Sequence, residues 1–133
     1  MARTFNGSGS GILPDRSIVA LTEAGHLRSS APYAEGQVQP ASLDLRLGPV
    51  AYRVRASFLP GPQATVAERI EALALHRIDL SAGAVLETGC VYIVPLMESL
   101  ALPADISATA NPKSSTGRID VFTRVIADRS RGF

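Results

Sequence analysis

The chain contains no tryptophan, two histidines, one cysteine and no apolar run near the roughly 20 residues that span a bilayer. Each scarcity excludes something. A single cysteine, Cys90, forms no internal disulfide; in the apolar run "CVYIVPL" it reads as a buried, inert thiol, which fits a reducing, cytoplasmic setting. The N-terminal "MARTFNGSGSG" lacks an apolar signal-peptide core, so a soluble chain with no membrane partner is expected. Net charge is +1 and the pI about 8.0. Without a global excess of cations no nucleic-acid partner is expected, and any anion site must be local.

Few histidines and one cysteine also limit the chemistry. A zinc-activated water needs His and Cys donors at tight spacing, and His26, His76 and Cys90 stand apart, so neither a protein-bound metal nor zinc is expected. The sequence has no G-x-S-x-G elbow, no G-x-x-x-x-G-K-[ST] phosphate loop and no G-x-G-x-x-G.

What is present is a core-forming composition: 133 residues, 46% hydrophobic and 19% charged, enough for one globular domain. Residues 1–11 are Gly/Ser-rich and read as a flexible arm; residues 12–133 read as the domain. "LPDRSIVALTEAGHL" predicts a short helix with Asp15 as N-cap, Ile18, Leu21 and Ala24 on one face, and Gly25 as the stop. "QPASLDLRLG" alternates Leu43, Leu45 and Leu47 with polar residues, and "VAYRVRASF" repeats the period with Val50, Tyr52, Val54 and Phe58; both predict half-buried strands. "ATVAERIEALALHRI" switches to helical spacing through Val66, Ile70, Leu73 and Ala74. From Asp79 onward "AVLETG", "CVYIVPL", "ISATA" and "IDVFTRVIA" again read as strands between Gly and Pro breaks. Short strands with about two short helices indicate a mainly β barrel or sandwich.

The stretch with most chemistry is "PKSSTGR". Lys113 and Arg118 are fixed cations, Ser114, Ser115 and Thr116 offer hydroxyl donors, and Gly117 permits close backbone approach. If Ser114 opens a helical turn, its free N–H groups add to an anion cradle. The competing reading is a self-capped surface turn with solvated Lys and Arg.

Three segments carry a family resemblance. "LPADISATANPKSSTGRIDVF" resembles the strand–turn–helix segment of the dCTP deaminase branch of the dCTP deaminase/dUTPase superfamily; "QPASLDLRLG" is similar to its early strand and "ILPDRSIVALTEAGHL" to its opening helix, all in family order. The resemblance implies a mainly β, distorted β-barrel or jelly-roll of dUTPase-like type with one or two short helices, incomplete at the C-terminus. It implies assembly as a homotrimer, or as a tandem-unit pseudo-trimer, with nucleotide sites between subunits. It also implies zinc-independent hydrolysis of dCTP to dUTP and ammonia, with Mg²⁺ carried by the triphosphate. Carried onto this chain, Ser114 holds the attacking water and contacts phosphates, and Arg118 stabilises the reacting centre. Lys113 and Ser115 bind triphosphate, while Val125 and Ala127 shape the cytosine and water pocket.

The match has gaps. The family's acid/base glutamate lies ten to twenty residues beyond the Ala127 position, and none of Glu23, Glu35, Glu68, Glu71, Glu87 or Glu98 stands there, so the chain alone is expected to be inactive. "DRSRGF" lacks the family's I-D-P-G turn, and Arg124 replaces a common histidine. Arg124, Arg129 and Arg131 form a basic cluster read as a solvated edge, Asp44 reads as an ion-pair partner beside Arg46, and Asp128 reads as a turn residue. Two alternatives remain at this point: dUTP diphosphatase-like hydrolysis at phosphorus, and a non-catalytic nucleotide-binding or oligomerisation module.

Overall fold

A computed structural model of the chain describes residues 10–128. The first element is α1, Asp15–Glu23, whose Ile18 and Leu21 are buried. Pro14, not Asp15, is its N-cap: proline has the extended backbone needed there, and Asp15 then sits in the first turn, where a carboxylate favours the helix dipole. The helix ends as expected at Gly25, which adopts φ 76° while Gly25 N–H donates to Thr22 O and His26 N–H to Leu21 O. That paired closure needs a left-handed residue, which glycine supplies without steric cost.

Seven short strands follow among the described residues: β1 Leu27–Ser29, β2 Val38–Gln39, β3 Ser42–Leu43, β4 Val50–Val54, β5 Ala74–Asp79, β6 Val91–Ile93 and β7 Glu98–Leu100. Helix α2, Val66–Leu73, precedes β5, and α3, Ser114–Arg118, comes last. All pairings are antiparallel: β1 with β7, β2 with β3, and a three-stranded sheet ordered β5-β4-β6. The architecture is mainly β with short helices, as the pattern of short strands predicts. Among the described residues the strands form three small sheets rather than a closed barrel.

The core has two parts. Ile18, Leu21 and Leu27 are buried with Leu13, Val38, Leu43, Leu100, Leu102 and Ile106 against them; Ala51, Val54 and Ile70 are buried where α2 meets β4. Strand β4 departs from simple alternation. Ala51 is the innermost residue, and a register shift between Arg53 and Val54 turns Val54 inward too, so Val50 and Tyr52 are only half-buried.

Other expectations are corrected by the packing. Leu47 is 61% exposed, and the chain at 44–46 does not continue as a strand. The amide of Arg46 donates to the Glu98 side chain, while its carbonyl accepts from Met97 beside an isolated antiparallel bridge of Leu47 with Leu96. The helical pattern of 64–78 stops at Leu73: a Thr65–Glu68 capping box starts α2, yet Ala74 onward pairs with β4 as β5. "AVLETG", "ISATA" and "IDVFTRVIA" form no strands among the described residues, since none has a partner to complete its ladder. No helix among those residues is long and apolar enough to cross a membrane. Cys90 is half-buried rather than buried, with Sγ 3.8 Å from Glu87 Oε2. Arg129, Arg131 and most of the 1–11 arm lie outside the described residues.

Gly48 has a steric reason to be glycine. Its N–H donates to Pro95 O at 2.7 Å, and a Cβ there would also lie 2.7 Å from that backbone oxygen. Gly48→Ala is therefore expected to lower the stability of the folded protein by about 1–3 kcal/mol through forced separation of 47–48 from 95–96. A urea midpoint unchanged from wild type would show that this approach is not required.

Candidate functional site

The serine-rich segment does open a helical turn. Lys113 is extended (φ −61°, ψ 144°) and serves as N-cap of α3 without a side-chain capping bond. Its carbonyl accepts from Thr116 N–H at 3.0 Å and Gly117 N–H at 3.3 Å. Neither serine caps the turn with its side chain, so the self-capped reading is not what forms. The turn closes as α1 does: Asp120 N–H donates to Gly117 O and Val121 N–H to Thr116 O. Here the left-handed position is Asp120, at φ 61°, one of the few non-glycine types that tolerate it. Lys113, Ser114, Ser115 and Arg118 are all exposed, as are Arg124 and Val125.

Two sequence motifs meet in space at this turn. Lys113 Nζ lies 2.6 Å from Asp44 Oδ2, joining "PKSSTGR" to "QPASLDLRLG". Asp44 thus pairs with Lys113 and not with its neighbour Arg46. Arg46 is engaged elsewhere, 2.8 Å from the carboxylate of Glu98.

Glu98 is the site's hidden support. It is 3% exposed, and its oxygens accept from Arg46 N–H at 2.7 Å, Arg46 Nε at 2.8 Å and Gln37 Nε2 at 2.8 Å. The Arg46 guanidinium also donates to Pro32 O, Ser29 Oγ and Ala31 O. Burial alone would push the Glu98 carboxyl up, but the bonds from Arg46 and Gln37 outweigh it and hold it below its ordinary 4.5. Both oxygens are committed to these donors, so Glu98 is a structural carboxylate. The Tyr33 hydroxyl is buried beside it with no hydrogen-bond partner among the described residues, and burial, then the Glu98 charge, raises its pKa. Sequence reasoning missed Glu98 and Gln37. A signal existed: Glu98 is the one charge in the run "VYIVPLMESLAL", and a lone carboxylate in an apolar stretch requires donors.

The other half of the candidate site lies at the start of α2. Ala127 and Asp128 line an open cleft of about 790 Å³ with the 59–65 loop and Glu68. Asp128 is more than a turn residue, since its Oδ1 accepts from Val66 N–H at 2.5 Å. Ser114, Ser115, Arg118 and Val125 do not line this cleft. Among the described residues no three His, Cys, Asp or Glu side chains converge in a metal-binding group.

The family model of the 2'-deoxycytidine 5'-triphosphate deaminase N-terminal domain matches residues 9–133. A Corynebacterium kroppenstedtii protein named "dCTP deaminase, dUMP-forming" is 31% identical over 119 residues, 87% of this chain and 61% of its own length. A Parafrankia protein of the same name is 33% identical over 116 residues, 87% of this chain and 57% of its own. The solved 2'-deoxycytidine 5'-triphosphate deaminase of Agrobacterium tumefaciens has a TM-score of 0.85 and 67% identity, covering 89% of this chain and 35% of that one. The chain therefore spans less than two thirds of each of these relatives.

The Glu98 cluster sets an acid limit. A carboxylate whose folded pKa is depressed contributes stability that is fully present above its unfolded value and is lost as pH falls through the folded one. Glu98→Gln is expected to cost about 1.5–3 kcal/mol at neutral pH, the range for hydrogen bonds to a charged group. The gap between wild type and variant should narrow as pH drops below 4.5, the ordinary value. Denaturant unfolding from pH 7 to pH 3 measures it; a gap independent of pH would assign the loss to packing.

Proposed function

Because the chain belongs to the 2'-deoxycytidine 5'-triphosphate deaminase N-terminal-domain family, we propose that the full-length protein is a cytoplasmic hydrolase converting dCTP and water to dUTP and ammonia. The observation that carries this reading is the 67% identity to a solved dCTP deaminase over 89% of the chain. The exposed helical turn at Ser114–Arg118, with Lys113 at its mouth, supports it.

In this reading Lys113 and Ser115 hold the triphosphate, which brings Mg²⁺ with it as part of the substrate; zinc takes no part. Ser114 holds the water that adds to C4 of the cytosine ring, and Arg118 stabilises charge developing at that centre. The C4–N bond then breaks, the amino group leaves as ammonia after taking a proton, and the ring keeps the carbonyl of uracil. Val125 and Ala127 shape the base pocket. Proton transfer needs a carboxylate of tuned pKa. Among the described residues no glutamate is hydrogen-bonded or ion-paired to the turn, and Glu98 is already bound to Arg46 and Gln37. A polypeptide ending at Phe133 should therefore be slower by on the order of 10²–10⁴.

The names of the two curated relatives favour a second reading, in which a further water cleaves the dUTP formed to dUMP and pyrophosphate. Full-length protein incubated with dCTP distinguishes the two by product. Ammonia with dUTP supports the first and ammonia with dUMP and pyrophosphate the second. Nucleotide binding without ammonia would replace both by a non-catalytic binding module.

Exposure of α3, Ile119, Phe122 and Val125 supports sites completed by another subunit or unit. The full-length protein is expected to sediment as a homotrimer or a tandem-unit pseudo-trimer; a one-unit monomer at micromolar concentration would count against interface-built sites. Kinetically, Ser114→Ala and Arg118→Ala should lower kcat, because they meet the reacting centre, whereas Lys113→Ala should mainly raise KM as a point charge felt alike in ground and transition states. Unchanged deamination by folded Ser114→Ala and Arg118→Ala proteins would reduce the turn to a surface feature.

A further inference from the structure

Residues 107–128 carry every proposed site residue, yet little holds them to the rest of the fold. None of the α3 residues is buried. The backbone hydrogen bonds around α3 close on themselves: Thr116 and Gly117 on Lys113, Asp120 on Gly117, Val121 on Thr116. Among the described residues, two polar links reach outward. Asp128 accepts from Val66 N–H at the far end, and Lys113 Nζ meets Asp44 Oδ2 at 2.6 Å directly before the serines.

Asp44 is a rigid anchor for that second link. Its N–H donates to Gln37 O at 3.0 Å and its carbonyl accepts from Gln37 Nε2 at 2.9 Å, so one residue clamps both sides of it. Gln37 is 5% exposed and is itself fixed: the same amide nitrogen donates to Glu98 Oε1, and its oxygen accepts from Ala34 N–H at 3.0 Å. An unbroken chain of polar contacts thus runs from the buried Glu98 through Gln37 and Asp44 to Lys113 at the mouth of α3.

We propose that Asp44 is a positioning residue for the phosphate-binding turn, its carboxylate holding Lys113 Nζ, and with it the start of α3, where a triphosphate oxygen is received. This rests on the deaminase reading of the turn. An ammonium has three donors, so Lys113 can keep Asp44 and still offer donors to phosphate. An exposed ion pair adds little to global stability, and its effect here lies in placement. Without it, a flexible four-carbon stem must be ordered each time nucleotide binds, which weakens binding without touching the chemical step.

The test is a double-mutant cycle in the full-length protein: Asp44→Asn, Lys113→Ala and both together, with Asp44→Glu as the charge-preserving control. Steady-state kinetics with dCTP are read beside a titration with inorganic tripolyphosphate and thermal unfolding. Asp44→Asn is expected to raise KM roughly three- to tenfold with kcat held, Asp44→Glu to recover much of that, and Asp44→Asn to add nothing once Lys113 is gone. An unchanged KM in Asp44→Asn would overturn the proposal. So would a lower KM, which would make Asp44 a competitor of phosphate, or effects that multiply in the double variant. A KM rise explained by unfolding would appear as a lowered melting temperature and would persist in the Lys113→Ala background, which also overturns it. If wild type releases no ammonia from dCTP, the deaminase reading fails on its own. The tripolyphosphate titration then still decides: weakening by Asp44→Asn that depends on Lys113 supports the positioning role, and its absence refutes it.

Discussion

A carboxylate buried to 3% exposure has to be answered by donors, and the placing of Glu98 among its donors organises much of this fold. Its partners come from segments more than fifty residues away in sequence, Gln37 and Arg46, so satisfying one charge brings the 37–46 stretch against β7. The Arg46 guanidinium extends the same network to Ser29, Ala31 and Pro32, next to β1, which pairs with β7 through Ser29 and Glu98. Apolar contacts alone would tolerate a range of arrangements here. Directional bonds to a buried charge admit few, because each lost donor leaves the charge uncompensated.

From that centre the structure grades outward into the candidate site. Gln37 and Glu98 are buried, Asp44 is half-buried, and Lys113 with the serines lies at the surface. Stiffness is concentrated at one end and ligand access at the other, which suits a turn that must meet an anion without being part of the core. The exposed Ile119, Val121, Phe122 and Val125 continue from this turn. The relatives in which the same unit occurs are longer, the chain spanning 61%, 57% and 35% of the three compared.

Local signals were legible where a local cause sufficed. The Gly25 stop of α1, the helical spacing at the start of α2 and the helical turn from Ser114 follow from local signals, whereas the N-cap of α1 is Pro14 rather than Asp15. The strands were legible in kind and less so in place. Leucine alternation predicts a strand through Leu47, but Arg46 spends its backbone groups on residues 97–98, and no alternation pattern reports a partner fifty residues away. The irregularity at Arg53–Val54 likewise depends on pairing with β5, and "IDVFTRVIA" has β-forming composition without a strand to pair with among the described residues.

The sequence by itself determined the chemical inventory and the family. Lysine, two serines and arginine on one short turn, the motif "QPASLDLRLG" and the order of the three matching segments are properties of residue identity and spacing. Tertiary structure decided which charges meet. Asp44 stands two residues from Arg46, yet the chain leaves strand geometry there: Gln37 clamps the N–H and carbonyl of Asp44, the Arg46 guanidinium meets Glu98, and the Asp44 carboxylate meets Lys113. Ion pairs are set by distance after folding, and that distance depends on the buried carboxylate that the whole arrangement must satisfy.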